Sequence, residues 1–451
     1  MSLKPYIEPK PRLPYAVRMR NRCIAAAVFI LICAGIGSCI FGGDDKKSEI
    51  SKPVKESTRD AVEQASSIPE ATTEAEPVQE QPQPTKEQLK AEDIENTRAT
   101  VLAEVAPDNP PEPEIIDSAH ILNQKDVFMA KQIDKYLRRF RPNHAMYLMV
   151  DAKSNEIMAW GEMKDGKVMN EPDYLARNTF PAASVAKTVT MAAALESRRY
   201  NLDSPIPAQG KSTHLYRNQL KVKEPYIGPT LTLKEVYAHS ANPSMAIVGY
   251  NLGAKKLKET AKMLGYNARH PGFNNPPLQY APPDTGYGLY EVASGFTEDV
   301  TLSPIVAAAQ MRALVYKKPL EIPWAKNLKG FAPDKPYALG LPRFSNETCN
   351  EIKKAMIATV TIGSARKRIS HRNMARKTLE SLTIGGKTGN KDGSNPAGRY
   401  EWFAGFAEPK DNPSKGIIIV IMQVYGEMRT QSSADVAAIL INHWAREYIN
   451  K

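Results

Sequence analysis

Three short groups of residues could do chemistry together. Ser184-Val-Ala-Lys187 sets a hydroxyl and an amine three positions apart, Ser240-Ala-Asn242 follows, and Lys387-Thr388-Gly389 comes later still. On a helix a separation of three brings two side chains to one face. A serine is a weak nucleophile at its free pKa and needs a neighbouring proton acceptor; a lysine serves if burial or a nearby cation depresses its own pKa. Residues 181–197 are Ala-rich and nearly apolar all round, which predicts a buried helix carrying Ser184 and Lys187. A lysine there is costly unless it has a partner or a task. The stretch "SLTIGGKTGN" (381–390) begins as a strand and then gives up side chains to three glycines. Such glycines mark close approach by a ligand or another backbone. A second Ser-x-x-Lys, Ser364 to Lys367, lies in a basic stretch and reads as solvated surface. His239 beside Ser240 has no G-x-S-x-G elbow to support it and reads as structural.

The elements that must position these groups are legible as patterns. Residues 126–140 have helical spacing of apolar residues. Residues 144–151 and 156–163 read as strands joined by the hairpin signal "AKSN". Residues 231–264 read as largely helical. Near the end, 401–408 and 416–426 read as two more strands and 433–449 as an amphipathic helix. Strands at both ends with helices between predict an α/β fold: one antiparallel sheet assembled from both termini, packed with helices, beside a helical subdomain, with a cleft where they meet.

Ser-x-x-Lys, Ser-x-Asn and Lys-[Ser/Thr]-Gly in that order form the signature of penicillin-recognising serine acyl-transferases. The chain resembles the transpeptidase domain of penicillin-binding proteins. The likeness extends from "MYLMVDAKSNEIMAWGE" through "NTFPAASVAKTVTMAAALE" and "SANPSMAIVGYNLGAKKLKETAKMLGYN" to "GGKTGN" and "YEWFAGFAE", roughly residues 140–451. The resemblance implies a β-lactamase/transpeptidase-like fold and a peptidoglycan D,D-transpeptidase that uses no metal or organic cofactor. It implies Ser184 as nucleophile, Lys187 as its base and Ser240, between Lys187 and Lys387, as a proton relay. Asn242 would hold the acylated chain. Lys387 and Thr388 would face the ligand and its terminal carboxylate, with Gly389 beside a substrate lying as an added strand. The backbone N–H groups of Ser184 and Asn390 would form the oxyanion hole. One departure stands out: the family usually has a second Thr or Ser after the Gly, and here it is Asn390. The substrates implied are stem peptides, with β-lactams as covalent inhibitors.

Hydrolysis is the alternative, as a D,D-carboxypeptidase or β-lactamase. No Glu-x-x-x-Asn lies between Asn242 and Lys387 to activate a deacylating water, and the run 265–290 offers only Asp284 and Glu291 at its end. A non-enzymatic β-lactam sensor or scaffold is the further alternative. The intact set of Ser, Lys, Ser, Asn, Lys, Thr and Gly argues against it.

Charge and composition bound the rest. The formal net charge is +11, divided as +5 over 1–43, −9 over 44–112 and about +15 over 113–451. No recognition helix or zinc-finger spacing accompanies the basic character, so nucleic acid is set aside. Cys23, Cys33 and Cys39 fall in the N-terminal apolar run, leaving Cys349 alone with no disulfide or cysteine-zinc role. Residues 1–22 form a basic, cytoplasmic lead, and 23–43 are uncharged and long enough for a transmembrane anchor. The excess of Lys/Arg ahead of it sends the remainder outward, and the resemblance implies that this is the periplasmic side of the bacterial inner membrane. Ile36-Gly37-Ser38-Cys39 resembles a lipoprotein cleavage box, a rival to the uncleaved anchor. Residues 44–112, rich in Glu, Gln and Pro, read as a disordered, self-repelling tether, and 113–451 as the catalytic domain. No Glu-Asp-x-x-Phe glycosyltransferase signature appears, so a membrane glycan polymerase is the expected partner.

Overall fold

The protein's structure, a computed structural model, describes residues 119–268 and 276–450. The expected anchor over 23–43 and tether over 44–112 lie outside the described residues. Among those described, no helix is long and apolar enough to cross a membrane. Chain order begins α1 (Val127–Phe140), β1 (His144–Asp151), β2 (Ile157–Lys164), β3 (Lys167–Val168), α2 (Lys187–Glu196), α3 (Leu233–Ala238) and α4 (Asn242–Leu252). It continues α5 (Ala254–Met263), α6 (Tyr287–Ser294), α7 (Pro304–Tyr316), α8 (Asn346–Thr361), α9 (Arg376–Ser381), β4 (Leu382–Ser394), β5 (Ala397–Pro409), β6 (Ile417–Tyr425) and α10 (Ser433–Tyr448). Shorter turns and strand pairs carry no label.

The sheet is antiparallel throughout, in the order β4-β5-β6-β1-β2-β3. Its middle is the pairing of β1 with β6, which joins the beginning of the domain to its end, as the sequence pattern predicts. Both faces are covered, so β6 is buried at every position. Strand alternation divides its side chains. Ile418, Val420, Met422 and Val424 enter one core with Met146, Leu148 and Val150 of β1. Ile417, Ile419 and Ile421 enter the other with Tyr147 and Met149. Each such fully buried aliphatic side chain contributes about 1.5–3 kcal/mol.

The second core lies under α1 and α10. Asp126 caps α1 by accepting from the Met129 N–H, and α10 starts in a capping box between Ser432 and Asp435. The first core lies under the helical part, where α2 packs on α4, α5 and α8. The expected helix over 181–197 is shorter in the structure. Phe180–Pro181 pair with Thr301–Leu302, Ala183–Ala186 make a 3-10 turn, and the α-helix begins only at Lys187. The run read as helical over 231–264 is broken by Ser240 and Gly253, both at positive φ, into α3, α4 and α5.

Candidate active site

Ser184 therefore sits in a 3-10 turn ahead of the buried helix. Such a turn eclipses residues three apart, and the Lys187 Nζ lies 2.7 Å from Ser184 Oγ. Two contacts hold the turn in place. Trp402 Nε1 on β5 donates to the Pro181 carbonyl, and the Ala182 N–H donates to the Val300 carbonyl. Ala183 has φ +50° and Ser240 φ +58°. A left-handed conformation costs a non-glycine residue about 1–2 kcal/mol, and such strain concentrates at functional sites. Gly295 makes the turn's position possible. It has φ +62°, and a Cβ there would stand 2.1 Å from the Ala183 carbonyl oxygen.

Lys187 is fully buried. Its Nζ also donates to Asn242 Oδ1 at 2.6 Å and to the Ser294 carbonyl at 2.7 Å. Burial first, and the positive charge of Lys387 second, hold its pKa well below the ordinary lysine range. As a neutral amine, Lys187 keeps two N–H donors for Asn242 and Ser294 and turns its lone pair to the Ser184 hydroxyl. The geometry thus suits proton abstraction from Ser184.

Lys387 is also fully buried, and burial brings its pKa down to about 7. It donates to Ser240 Oγ at 2.8 Å and to the Thr388 carbonyl at 2.9 Å, and it lies over the Tyr237 ring. The sequence reading turned Lys387 and Thr388 toward a ligand together. Strand alternation separates them: Lys387 points beneath Ser240, while Thr388 lines a cleft. That cleft, of about 510 Å³, is walled by Ser184, Ser240, Asn242, Thr388, Gly389 and Asn390 among others. A larger cavity of about 670 Å³ lies between the end of α2 and the start of α8, but its lining has no lysine or histidine beside its serines.

Two further site residues have partners within the protein. Ser240 is expected between the two lysines; its hydroxyl bonds to Lys387, while the three partners of Lys187 Nζ are Ser184, Asn242 and the Ser294 carbonyl. The Asn242 amide, expected to hold an acylated chain, is engaged within the protein. Its Oδ1 accepts from Lys187 and its Nδ2 donates to the Thr213 carbonyl, leaving one N–H for a ligand. The glycines of "GGKTGN" also acquire a packing reason. A Cβ on Gly389 would lie 3.1 Å from Val185 Cγ2, so bare backbone lets β4 pass close beside the Ser184 turn.

The model of the penicillin-binding protein transpeptidase domain matches residues 145–442. The chain belongs to this family. Stage V sporulation protein D of Bacillus subtilis (strain 168) is 23% identical over 379 residues, 77% of this chain and 55% of that protein. Peptidoglycan D,D-transpeptidase PbpA of Mycolicibacterium smegmatis is 25% identical over 297 residues, 62% of this chain and 57% of that protein. The chain thus spans a little over half the length of these curated relatives. Among solved structures, the transpeptidase domain of Burkholderia pseudomallei penicillin-binding protein 3 aligns at a TM-score of 0.54 and 15% identity, covering 75% of this chain and 98% of that one. PBPA from Mycobacterium tuberculosis aligns at 0.52 and 16%, covering 72% and 80%. The fold of this penicillin-binding protein domain is therefore the α/β transpeptidase fold.

The cleft of this transpeptidase domain also contains residues that the sequence reading missed. Ser364 lines it, with Oγ 2.6 Å from Thr388 Oγ1. His239, read as structural, is exposed on its wall. Thr213 belongs to a loop tied to the start of α4 through the Asn242 N–H and the Ser212 carbonyl. The wall's carboxylates among the described residues are Asp392, 3.7 Å from Arg399, and Glu401, 2.6 Å from Arg429. Asp284 pairs with Lys258 at the surface and does not line the cleft.

Proposed function

We propose that this chain is a serine D,D-transpeptidase that cross-links peptidoglycan stem peptides and is acylated by β-lactams. The observation that carries the reading is the buried Lys187 amine 2.7 Å from Ser184 Oγ, with its other two acceptors fixed. Lys187, neutral, takes the Ser184 proton as Oγ attacks the penultimate D-Ala carbonyl. The N–H of Ser184, at the open end of its turn, and that of Asn390 on β4 receive the developing oxyanion. The tetrahedral intermediate collapses, the C–N bond breaks, and the proton held by Lys187 passes to the leaving D-Ala nitrogen, with the Ser240 hydroxyl, bonded to Lys387, as the relay, so that Lys187 is neutral again. The amine of a second stem then attacks the ester and gives its proton to Lys187, which returns it to Ser184 Oγ as the ester C–O bond breaks. Thr388 takes the substrate's terminal carboxylate, and Gly389 lets the substrate lie against β4. Lys387 acts electrostatically from below.

Transfer is favoured over hydrolysis because both carboxylates on the cleft wall face an arginine. Neither is free to activate a deacylating water, which also disfavours a β-lactamase. The name of the M. smegmatis relative supports the same activity. The reading includes an uncleaved single-pass anchor over 23–43, a tether over 44–112 and a catalytic domain over 113–451 outside the bacterial inner membrane, working beside a glycan polymerase. Support for that placement is the charge-free span and its basic lead.

Fluorescent penicillin labelling, with intact mass to count adducts, tests the proposal. The wild-type protein is expected to take one adduct and lose it slowly after wash-out, and Ser184→Ala to take none. An adduct that survives in Ser184→Ala, or its rapid hydrolytic loss from the wild type, overturns the assignment.

A further inference from the structure

The cleft wall carries two hydroxyls where a single motif residue was expected. Thr388 Oγ1 and Ser364 Oγ are 2.6 Å apart across 24 residues of sequence. Both line the cleft that contains Ser184. Ser364 is exposed and fixed from behind by its own backbone N–H, which donates to the Ala238 carbonyl just before Ser240. It therefore stands in register with both Ser240 and Thr388. At position 390 the side chain is an amide and not a hydroxyl, so a second hydroxyl on this wall must come from elsewhere. Arg368, four residues beyond Ser364, lines the same cleft and is paired with Asp435 at 3.1 Å.

We infer that Ser364 binds the terminal carboxylate of the acyl donor, as the partner of Thr388. This deepens the acyl-transfer reading and rests on it. In the empty cleft one hydroxyl donates to the other, and only the second has a proton to offer. An arriving carboxylate has two acceptor oxygens. It replaces the hydroxyl–hydroxyl bond with two charge-assisted ones, one donated by each hydroxyl. The pair can take a stem-peptide carboxylate or the carboxylate of a bicyclic β-lactam, since both present the same planar anion. Ser364 is thus a specificity residue drawn from the very Ser-x-x-Lys that looked like plain surface.

The test uses the purified full chain and two probes, benzylpenicillin and its carboxyl methyl ester, with second-order acylation rates from intact mass. In Ser364→Ala the ratio of the carboxylate rate to the ester rate is expected to fall about tenfold, the worth of one hydrogen bond to a charged group. Ser364→Thr keeps a hydroxyl and is expected to keep the wild-type ratio. The backbone tie to Ala238 survives either substitution at this exposed position, so both variants fold. Equal losses on the two probes in Ser364→Ala, or no loss on either, overturn the Ser364 assignment while leaving acyl transfer at Ser184 standing. A wild-type protein that takes no adduct from either probe overturns the acyl-transfer reading, and the Ser364 assignment falls with it.

Discussion

Replacing Lys387 with methionine should make the protein more stable at neutral pH and less active. Burial holds the Lys387 pKa at about 7, against an ordinary 10.5. The folded protein therefore gives up a proton that the unfolded chain keeps over that whole interval. Stability rises with pH wherever the unfolded state binds more protons. The wild type is thus penalised by burial of this charge below pH 7, and the penalty fades between 7 and 10.5. A difference of that size corresponds to about 5 kcal/mol. At pH 7 itself, with the group half titrated, it is about 4 kcal/mol. Methionine removes the charge and keeps most of the side chain's volume. It also removes the bonds to Ser240 Oγ and the Thr388 carbonyl, at about 1 kcal/mol each. The net expectation is a variant about 2 kcal/mol more stable at pH 7 and about 2 kcal/mol less stable above pH 10.5, with the two curves crossing near pH ~9.

Urea unfolding midpoints from pH 6 to 11 supply the measurement. The slope is the decisive quantity, because lost packing offsets both ends of the curve equally. Lys187 adds its own rise with pH in both proteins, since its pKa is also depressed. Lys387→Met should therefore keep a reduced rise, smaller by up to ~1.4 kcal/mol per pH unit between 7 and 10.5. Parallel curves for the two proteins would refute the argument and leave Lys387 as an ordinary ammonium. Acylation by benzylpenicillin, followed in parallel, should fall in the variant, because Ser240 loses the partner that orders its hydroxyl.

Two other substitutions probe a buried carboxyl and the Ser184 turn. Glu162 on β2 is fully buried, accepts from the Asp173 and Tyr174 N–H groups, and has its pKa raised by burial to about 8. Here the folded protein holds the extra proton, so stability should fall as pH rises from about 4.5 to 8; Glu162→Gln should flatten that fall, and unchanged pH dependence of the unfolding midpoint would count against a neutral carboxyl. Gly295→Ala places a Cβ against the Ala183 carbonyl and demands positive φ of an alanine; a loss of about 1–3 kcal/mol in stability is expected, with a larger proportional loss in acylation rate, and an unaltered rate in a folded variant would show that Gly295 does not set the Ser184 turn.

The sheet was legible because its strands are bounded apolar runs buried on both faces. The residues 144–151 expected as a strand coincide with β1, and 416–426 exceeds β6 by one residue at each end. Spacing alone paired Ser184 with Lys187, since three residues bring side chains together in an α-helix and in a 3-10 turn alike. Hence the error about which of the two was present did not matter to the pairing. What spacing could not convey was direction. Lys387 and Thr388 are adjacent in sequence, and adjacent strand residues must diverge. Only the register of β4 on β5 and the position of α3 beneath decide that Lys387 takes the buried side with Tyr237.

Ser364 was illegible for a different reason. Arg366, Lys367 and Arg368 follow it, charged and exposed, so local composition argues for solvent. Its partner is reached only because the chain leaves α8, ties back to Ala238 and returns through α9 into β4. The same closure explains why both lysine pKa values are depressed. With α2, α3 and β4 drawn around them, Lys187 and Lys387 are both fully buried, and the positive charge of Lys387 further disfavours a charged Lys187. On the proposed mechanism, folding the cleft shut thus prepares the base for Ser184. The destabilisation measured at Lys387 should be the thermodynamic counterpart of the reactivity expected at Lys187.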